Sequence, residues 1–196
     1  MNTGRLEAFS DGVLAIIITI MVLEMKVPHD DELKSLFPLG PVLISYILSF
    51  IYIGIYWNNH HHMMQTVDLV NGKVLWANIH LLFWLSLVPF VSGWMGENNF
   101  TKWPVILYGM VLLMAAVAYY FLARALINLH GKNSMIGKAF GKDRKGIRSI
   151  LLYLLGIGFS FINPWIGFAV YAVVAAIWFI PDKRIEEKVK EENLEK

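Results

Sequence analysis

Cysteine is absent from the 196 residues, and charged residues are scarce at 16% of the chain. The missing cysteine excludes disulfides, thiolate metal ligands and cysteine nucleophiles, and it leaves the redox compartment undetermined. Because ordinary soluble domains are roughly 25% charged, the scarcity of charge indicates that water is not the solvent for most of the protein surface. A formal net charge of +2 is too small to indicate nucleic acid as a partner.

Catalytic signatures are missing as well. The sequence contains no phosphate-binding glycine loop, no HExxH pair, no GxSxG elbow and no pair of acids within an apolar segment. We therefore expect no enzymatic activity and no cofactor. The TVGYG loop of potassium channel filters is also absent, so any ion selectivity must come from something other than a ring of backbone carbonyls.

Apolar residues are what the sequence has in quantity, at 57% of the chain, with a mean hydropathy of +0.53. Runs of about 18 to 20 such residues recur, and each is long enough to cross the roughly 30 Å hydrocarbon core of a bilayer. We predict an all-α integral membrane protein with six transmembrane segments, near 5–24, 42–62, 74–94, 104–127, 147–162 and 165–180. The last two are short for spans, and a re-entrant hairpin is the alternative for them.

The segments between these runs predict the topology. Pro89 predicts a kink in the third segment, and the acidic, proline-containing loop 26–40 is predicted to be solvated and non-helical. Loop 131–148 holds six basic residues and one acid. By the positive-inside rule this loop is cytoplasmic, together with both termini. We expect a membrane domain over residues 1–182 and a charged cytoplasmic tail over residues 183–196.

The first apolar helix has two different faces. At about 100° per residue, one narrow stripe holds Gly12, Ile16, Thr19, Ile20 and Leu23, and Ser10 and Asp11 point away from it. If several copies of the helix surround an axis, the stripe supplies stacked apolar rings that can gate by dewetting, with the threonine hydroxyls as their only polar side chains. Ordinary helix packing or lipid contact produces the same periodicity, so the pattern alone leaves both interpretations open.

Asp11 requires a partner, because an acid within a membrane helix is costly and usually pairs inside the bundle. Arg5 lies six positions away on a different face of the helix and cannot make the usual i to i+4 pair. The candidate partners on the second and third segments are Trp57, Asn78 and His80, with Ser10 alongside. We expect a hydrogen-bonded clamp that holds the first helix, with direct ion binding by Asp11 as the alternative.

The second segment carries an aromatic and apolar seam and three consecutive histidines. The residues of the seam are separated alternately by four and three positions, and this spacing predicts a bundle interface. They are Tyr46, Phe50, Ile53, Trp57 and His60. The histidines, His60 to His62, point in three directions and have no acid within four positions, so we predict no metal site there. Proton conduction is a further hypothesis that these histidines and His80 motivate.

The start of the first helix resembles the signature of a known family. Its pattern R-x-x-x-F-S-D-G, formed by Arg5, Phe9, Ser10, Asp11 and Gly12, is similar to that of the transmembrane protein 175 family. Its members are endosomal and lysosomal potassium channels in animals, with shorter bacterial relatives. The resemblance extends to the Leu-Glu-Met-Lys-Val-Pro exit from the first helix and to residues 57–61 and 78–89. It covers most of the first half of the chain, and only topology in the second.

The resemblance implies a bacterial form that is similar to half of the animal protein, lies in the cytoplasmic membrane and assembles as a homotetramer. In that form the first helix lines a central pore. The implied main constriction is Ile16, with Ile20 and Leu23 continuing the ring stack, and Thr19 is implied to influence selectivity. Arg5, Ser10 and Asp11 are implied to hold the helix in place.

The function that the resemblance implies is passive conduction of K⁺ with weak to moderate selectivity. Na⁺, Rb⁺ and Cs⁺ are candidate permeant ions, and membrane lipid and further copies of the chain are the expected partners. Two other classes stay open: a secondary transporter, which needs a broken helix and a polar site at mid-membrane, and a non-conducting scaffold that uses its aromatic seams for assembly.

Overall fold

The computed structural model describes residues 3–140 and 143–179, and within these ranges its regular structure is helical. The helices are α1 (Gly4–Leu23), α2 (Gly40–Gln65), α3 (Gly72–Ser86), α4 (Val88–Glu97), α5 (Lys102–His130), α6 (Met135–Phe140), α7 (Arg144–Ser160) and α8 (Pro164–Phe179). The all-α prediction is confirmed. The predicted domain boundary at residue 182 and the tail over residues 183–196 lie outside the described residues.

Four segments of the described chain are long and apolar enough to cross a membrane. They are α1, α2 with the turn before it, α3 and α4 taken together, and α5. The helices α7 and α8 have 17 and 16 residues. At about 1.5 Å per residue each is about 25 Å long, which is shorter than the hydrocarbon core. Six complete spans therefore remain a prediction.

Local sequence signals account for several helix ends. The Asn71 side chain accepts a hydrogen bond from the Val74 N–H at 3.0 Å and caps α3, and Asp143 caps α7 by accepting from the Gly146 N–H at 2.8 Å. The predicted kink in the third segment is confirmed as a break at residue 87, between α3 and α4. Pro89 lies in the first turn of α4, where its missing N–H would have no helical partner in any case.

One loop prediction needs correction, and a second loop contains a short helix that was not predicted. The loop over residues 26–40 was predicted to be non-helical, but Leu33–Leu39 forms a 3₁₀-helix with Pro38 inside it. The basic loop contains α6, whose apolar residues Ile136 and Phe140 are buried. Both elements are short, and their signal is masked in the sequence by the surrounding charges and prolines.

The helix α5 is the centre of the bundle. It packs against α3, α4, α6, α7 and α8, and its small residues bring the neighbouring helices close. A Cβ added at Gly109 would lie 2.0 Å from the Tyr171 hydroxyl of α8, so only glycine fits that crossing. On the other side of the molecule, α1 packs on α2, α3 and α4. This arrangement places the first helix at one edge of the bundle.

Candidate functional site

The predicted stripe of α1 lies on the exposed side of the helix. Ile16 and Leu23 have 59% and 80% of their surface exposed, and Gly12, Thr19 and Ile20 are exposed with them. The opposite face packs into the bundle through Leu6, Ser10, Leu14, Ile17 and Met21. A single copy of the chain therefore leaves the whole stripe without a protein partner.

The only hydroxyl of the stripe has a defined orientation. The Thr19 Oγ1 donates a hydrogen bond to the Ile16 carbonyl oxygen of its own helix at 2.8 Å. Because the hydroxyl proton is used within the helix, the lone pairs of Oγ1 are free to accept from water or to contact a cation. The stripe thus combines apolar side chains with one acceptor oxygen.

A groove runs beside the stripe, between α1 and the α3–α4 segment. It has a volume of about 590 Å³ and is lined by Ile16 and Ile20 on one side and by Phe90, Gly93 and Trp94 on the other. Two carboxylates, Glu24 and Glu97, line the end of the groove that is next to the C-terminal end of α1. The groove shares two residues with the stripe, so the two features form one continuous apolar surface.

A buried chain of hydrogen bonds joins α1 to α2 and α3. The Ser10 hydroxyl donates to the Leu6 carbonyl at 2.8 Å and accepts from the Asn78 Nδ2 at 2.9 Å. The Asn78 Oδ1 lies 2.8 Å from the His60 Nε2 and can only accept, so that nitrogen carries the proton. All three side chains are at most 2% exposed, and the rotation of α1 about its axis is therefore specified by buried polar contacts.

Asp11 finds its partner on α2. The Trp57 indole Nε1 donates a hydrogen bond to the Asp11 Oδ1 at 3.0 Å. Of the three predicted partners, Trp57 is thus the one that binds the carboxylate, while Asn78 binds the neighbouring Ser10. Both contacts lie on the side of α1 that faces away from the stripe.

The structure does not bring every predicted residue into this network. His80 accepts a hydrogen bond from the Trp84 Nε1 of its own helix at 3.0 Å and stacks on Phe121 of α5. Arg5 is exposed and makes no hydrogen bond or ion pair with the described residues, and Phe9 is also exposed. The expected contact of His80 with the first helix is therefore wrong, because the side chain turns toward α5.

One pair escaped the sequence analysis. The His61 Nδ1 lies 2.7 Å from the Glu7 Oε1, and the Gln65 Nε2 donates to the His61 Nε2 at 2.8 Å. Glu7 and Asp11 are one turn apart on α1, as Trp57 and His61 are on α2. That double i, i+4 spacing is present in the sequence, but the carboxylate partner of His61 lies on a different helix, which the spacing within α2 cannot indicate.

The three consecutive histidines hold no metal cluster in the part of the chain that the structure describes. His60 and His61 contact different partners on different helices, as consecutive helical residues must. Next to the C-terminal end of α1, the Lys26 ammonium lies 2.7 Å from the Glu97 carboxylate, whose hydrogen bond and charge raise the pKa of Lys26 above its ordinary value. Both side chains are exposed, so this pair adds little to stability.

Comparison with known proteins gives three concordant matches. A family model described as endosomal/lysosomal potassium channel TMEM175 matches residues 5–89. A potassium channel from Chryseobacterium sp. (strain P1-3) is 56% identical over 191 residues, which cover 97% of this chain and 100% of the relative. The crystal structure of a lysosomal potassium-selective channel TMEM175 homolog from Chamaesiphon minutus superposes with a TM-score of 0.78 at 30% identity. It covers 90% of this chain and 95% of that one.

Proposed function

The chain belongs to the TMEM175 family of endosomal/lysosomal potassium channels, and from that premise we propose that it is a potassium-permeable cation channel. It is not an enzyme. In the proposal, four copies surround one pore in the bacterial cytoplasmic membrane, and α1 of each copy lines the pore. Ions then move passively down their gradient, and no cofactor takes part.

The exposed stripe of α1 is the observation that carries the pore assignment. Its apolar residues stay uncovered in one subunit although the other face of the same helix is packed. The buried contact of Ser10 with Asn78 and the exposed contact of Asp11 with Trp57 hold the helix in that rotation. A four-fold arrangement around the stripe would bring together four copies of Ile16, Ile20 and Leu23 as stacked rings.

The proposed constriction is apolar, and its selectivity is weak to moderate. A ring of Ile16 side chains excludes strongly hydrated ions and can dewet when it is narrow. One turn away, the Thr19 oxygens offer acceptors to a partly dehydrated cation. Such a ring favours K⁺ over Na⁺ only modestly, and Rb⁺ and Cs⁺ are expected to permeate as well.

The direct test is ion flux in liposomes that contain purified protein. The Ile16→Asn variant is expected to increase K⁺ flux several-fold and to reduce K⁺ over Na⁺ selectivity, because an amide ring keeps the constriction wet. The matched control is Ile177→Asn, which introduces the same amide at an exposed position of α8 on the other side of the bundle. Equal flux and selectivity in the wild type and Ile16→Asn would count against the pore assignment.

The break between α3 and α4 is the feature that favours a secondary transporter. The buried polar groups near it are the hydroxyls of Ser49, Ser92 and Tyr108, which bind one another at 2.9 and 3.0 Å and carry no charge. Concentrative uptake driven by an ion gradient would support a transporter, and strictly passive flux a channel. A folded tetramer without flux would indicate a scaffold.

The proposed orientation places the basic 131–148 loop in the cytoplasm. The cysteine-free chain makes this testable with single cysteines at Ser134 and Asp31, which are predicted to lie on opposite sides. We expect a membrane-impermeant thiol reagent added outside intact cells to label Asp31→Cys only. Labelling of Ser134→Cys alone would reverse the orientation.

A further inference from the structure

The two flanks of α1 differ in shape. On one flank α2 presents a ridge of side chains that are close to half exposed, at positions separated by four, three and seven residues: Leu43, Ile47, Phe50 and Trp57. On the other flank lies the apolar groove of about 590 Å³ that Phe90, Gly93 and Trp94 line together with α1. The ridge and the groove lie on opposite sides of the same stripe, which the proposed pore requires to face the central axis.

Two glycines on these flanks have no packing role within the subunit. A Cβ added at Gly54 in the ridge or at Gly93 in the groove would meet no atom within 4 Å. Glycine inside a helix costs roughly 0.5–1 kcal/mol relative to alanine. Gly96 of α4, by contrast, has an internal reason, since a Cβ there would lie 2.6 Å from the Val42 Cα. The open glycines at 54 and 93 therefore leave room on both flanks for close approach by something outside the subunit.

Contacts within the subunit show which residues of α2 and α4 lie at the same level along the membrane normal. The hydrogen bond of 2.9 Å between the Ser49 and Ser92 hydroxyls places these two residues at the same level of the bundle. Phe50 and Gly93, the next residues along α2 and α4, are then also nearly level. A four-fold axis along the membrane normal preserves depth, so Phe50 of any subunit lies at the level of Gly93 in its neighbour.

We propose that the occupant of the groove is the α2 ridge of the adjacent subunit, with the Phe50 ring of that subunit seated against Gly93. This inference rests on the proposed tetrameric pore and assigns its subunit interface. The contact joins different surfaces of two copies, so it is heterologous and closes into a ring by rotation. Ridge-into-groove packing of this kind also explains why neither flank carries a charge at that depth.

Disulfide cross-linking tests the contact directly, because the natural chain has no cysteine. The Phe50→Cys/Gly93→Cys double variant is expected to form covalent dimers, trimers and tetramers on mild oxidation, whereas each single variant is not. A cross-link that leaves the chain monomeric on a non-reducing gel, or no cross-link at all, would overturn the proposed contact.

A substitution that fills the groove provides a second, independent test of the interface. Gly93→Trp has room to fold within the subunit but would collide with the neighbour, so native mass spectrometry is expected to show loss of the tetramer. Gly158→Trp on α7, where an added Cβ would likewise meet no atom within 4 Å, is the control and is expected to stay tetrameric. A tetrameric, conducting Gly93→Trp protein would overturn the interface and leave the pore standing, whereas a monomeric, non-conducting wild type would remove the pore as well.

Discussion

Asn78 shows how one side chain can hold a membrane helix in a single rotation. Its amide satisfies the Ser10 hydroxyl on α1 with one end and the His60 ring on α2 with the other, and all three groups are buried. In a hydrocarbon environment neither partner has water as a substitute. The direction of the exposed stripe therefore depends on a residue that does not belong to the stripe.

We expect Asn78→Ala to lower the melting temperature of the detergent-solubilised protein by about 5–10 °C. The variant leaves the buried His60 N–H unpaired, at about 1–3 kcal/mol, and removes one of the two hydrogen bonds of the Ser10 hydroxyl, at about 0.5–1.5 kcal/mol. Each kcal/mol corresponds to about 2–4 °C in a chain of this size. The control is Asn98→Ala, whose amide donates only to the exposed Trp94 carbonyl. Equal shifts in the two variants would show that the buried bonds add no stability.

Thr19 supports a prediction about selectivity. Thr19→Val keeps the shape of the side chain and removes the acceptor oxygen, so the K⁺ to Na⁺ permeability ratio is expected to fall toward one and the conductance to decrease. The reversal potential under bi-ionic conditions measures this ratio. Thr66→Val at the end of α2, whose hydroxyl also donates to a backbone carbonyl of its own helix, is the matched control. An unchanged ratio in Thr19→Val would remove Thr19 from the selectivity mechanism.

At the level of helices, α4 has two glycines within a single turn, one packed tightly against α2 and one that faces open space. A Cβ added at Gly96 would lie 2.6 Å from the Ser45 hydroxyl and from the Val42 backbone of α2, whereas a Cβ added at Gly93 would meet no atom within 4 Å. The first glycine serves the fold of the subunit. The second is free for an external contact.

Two alanine substitutions are expected to separate these roles. Gly96→Ala should lower the melting temperature by several degrees, because backbone atoms of α2 cannot move away and overpacking costs about 1–3 kcal/mol. Gly93→Ala should leave it unchanged or raise it slightly, since alanine favours the helix. Circular dichroism recorded during heating measures the melting temperatures of both variants. Equal tolerance of the two changes would mean that α2 and α4 pack less closely than the structure indicates.

For the whole molecule, an apolar constriction predicts exclusion of divalent cations. Mg²⁺ gives up its water reluctantly, and a ring of four isoleucines offers no replacement ligands. We expect no shift of the reversal potential under a MgCl₂ gradient in the wild type, measured in planar bilayers. In Ile16→Asn a detectable Mg²⁺ current is expected. Substantial Mg²⁺ permeation in the wild type would contradict an isoleucine constriction.

Much of this architecture follows from the sequence, because membrane residence and helix periodicity are local properties. The apolar runs predicted the helices, Pro89 predicted the break in the third segment, and the spacing within α1 separated an exposed stripe from a packed face. The cost of an acid in a membrane also predicted a partner for Asp11 on a neighbouring helix, with Trp57 as one of three candidates. In each case the evidence lies within a few turns of one helix.

Only the tertiary structure determines the contacts that depend on the rotation of each helix and on the depth at which two helices meet. It joined Glu7 to His61 and turned His80 away from the first helix toward α5. It also distinguished Gly96 from Gly93, two identical residues three positions apart. Periodicity predicts which face of a helix is apolar, but not which neighbour that face meets. The stripe on α1 could thus be identified from the sequence, while the buried bonds that aim it and the groove beside it could not.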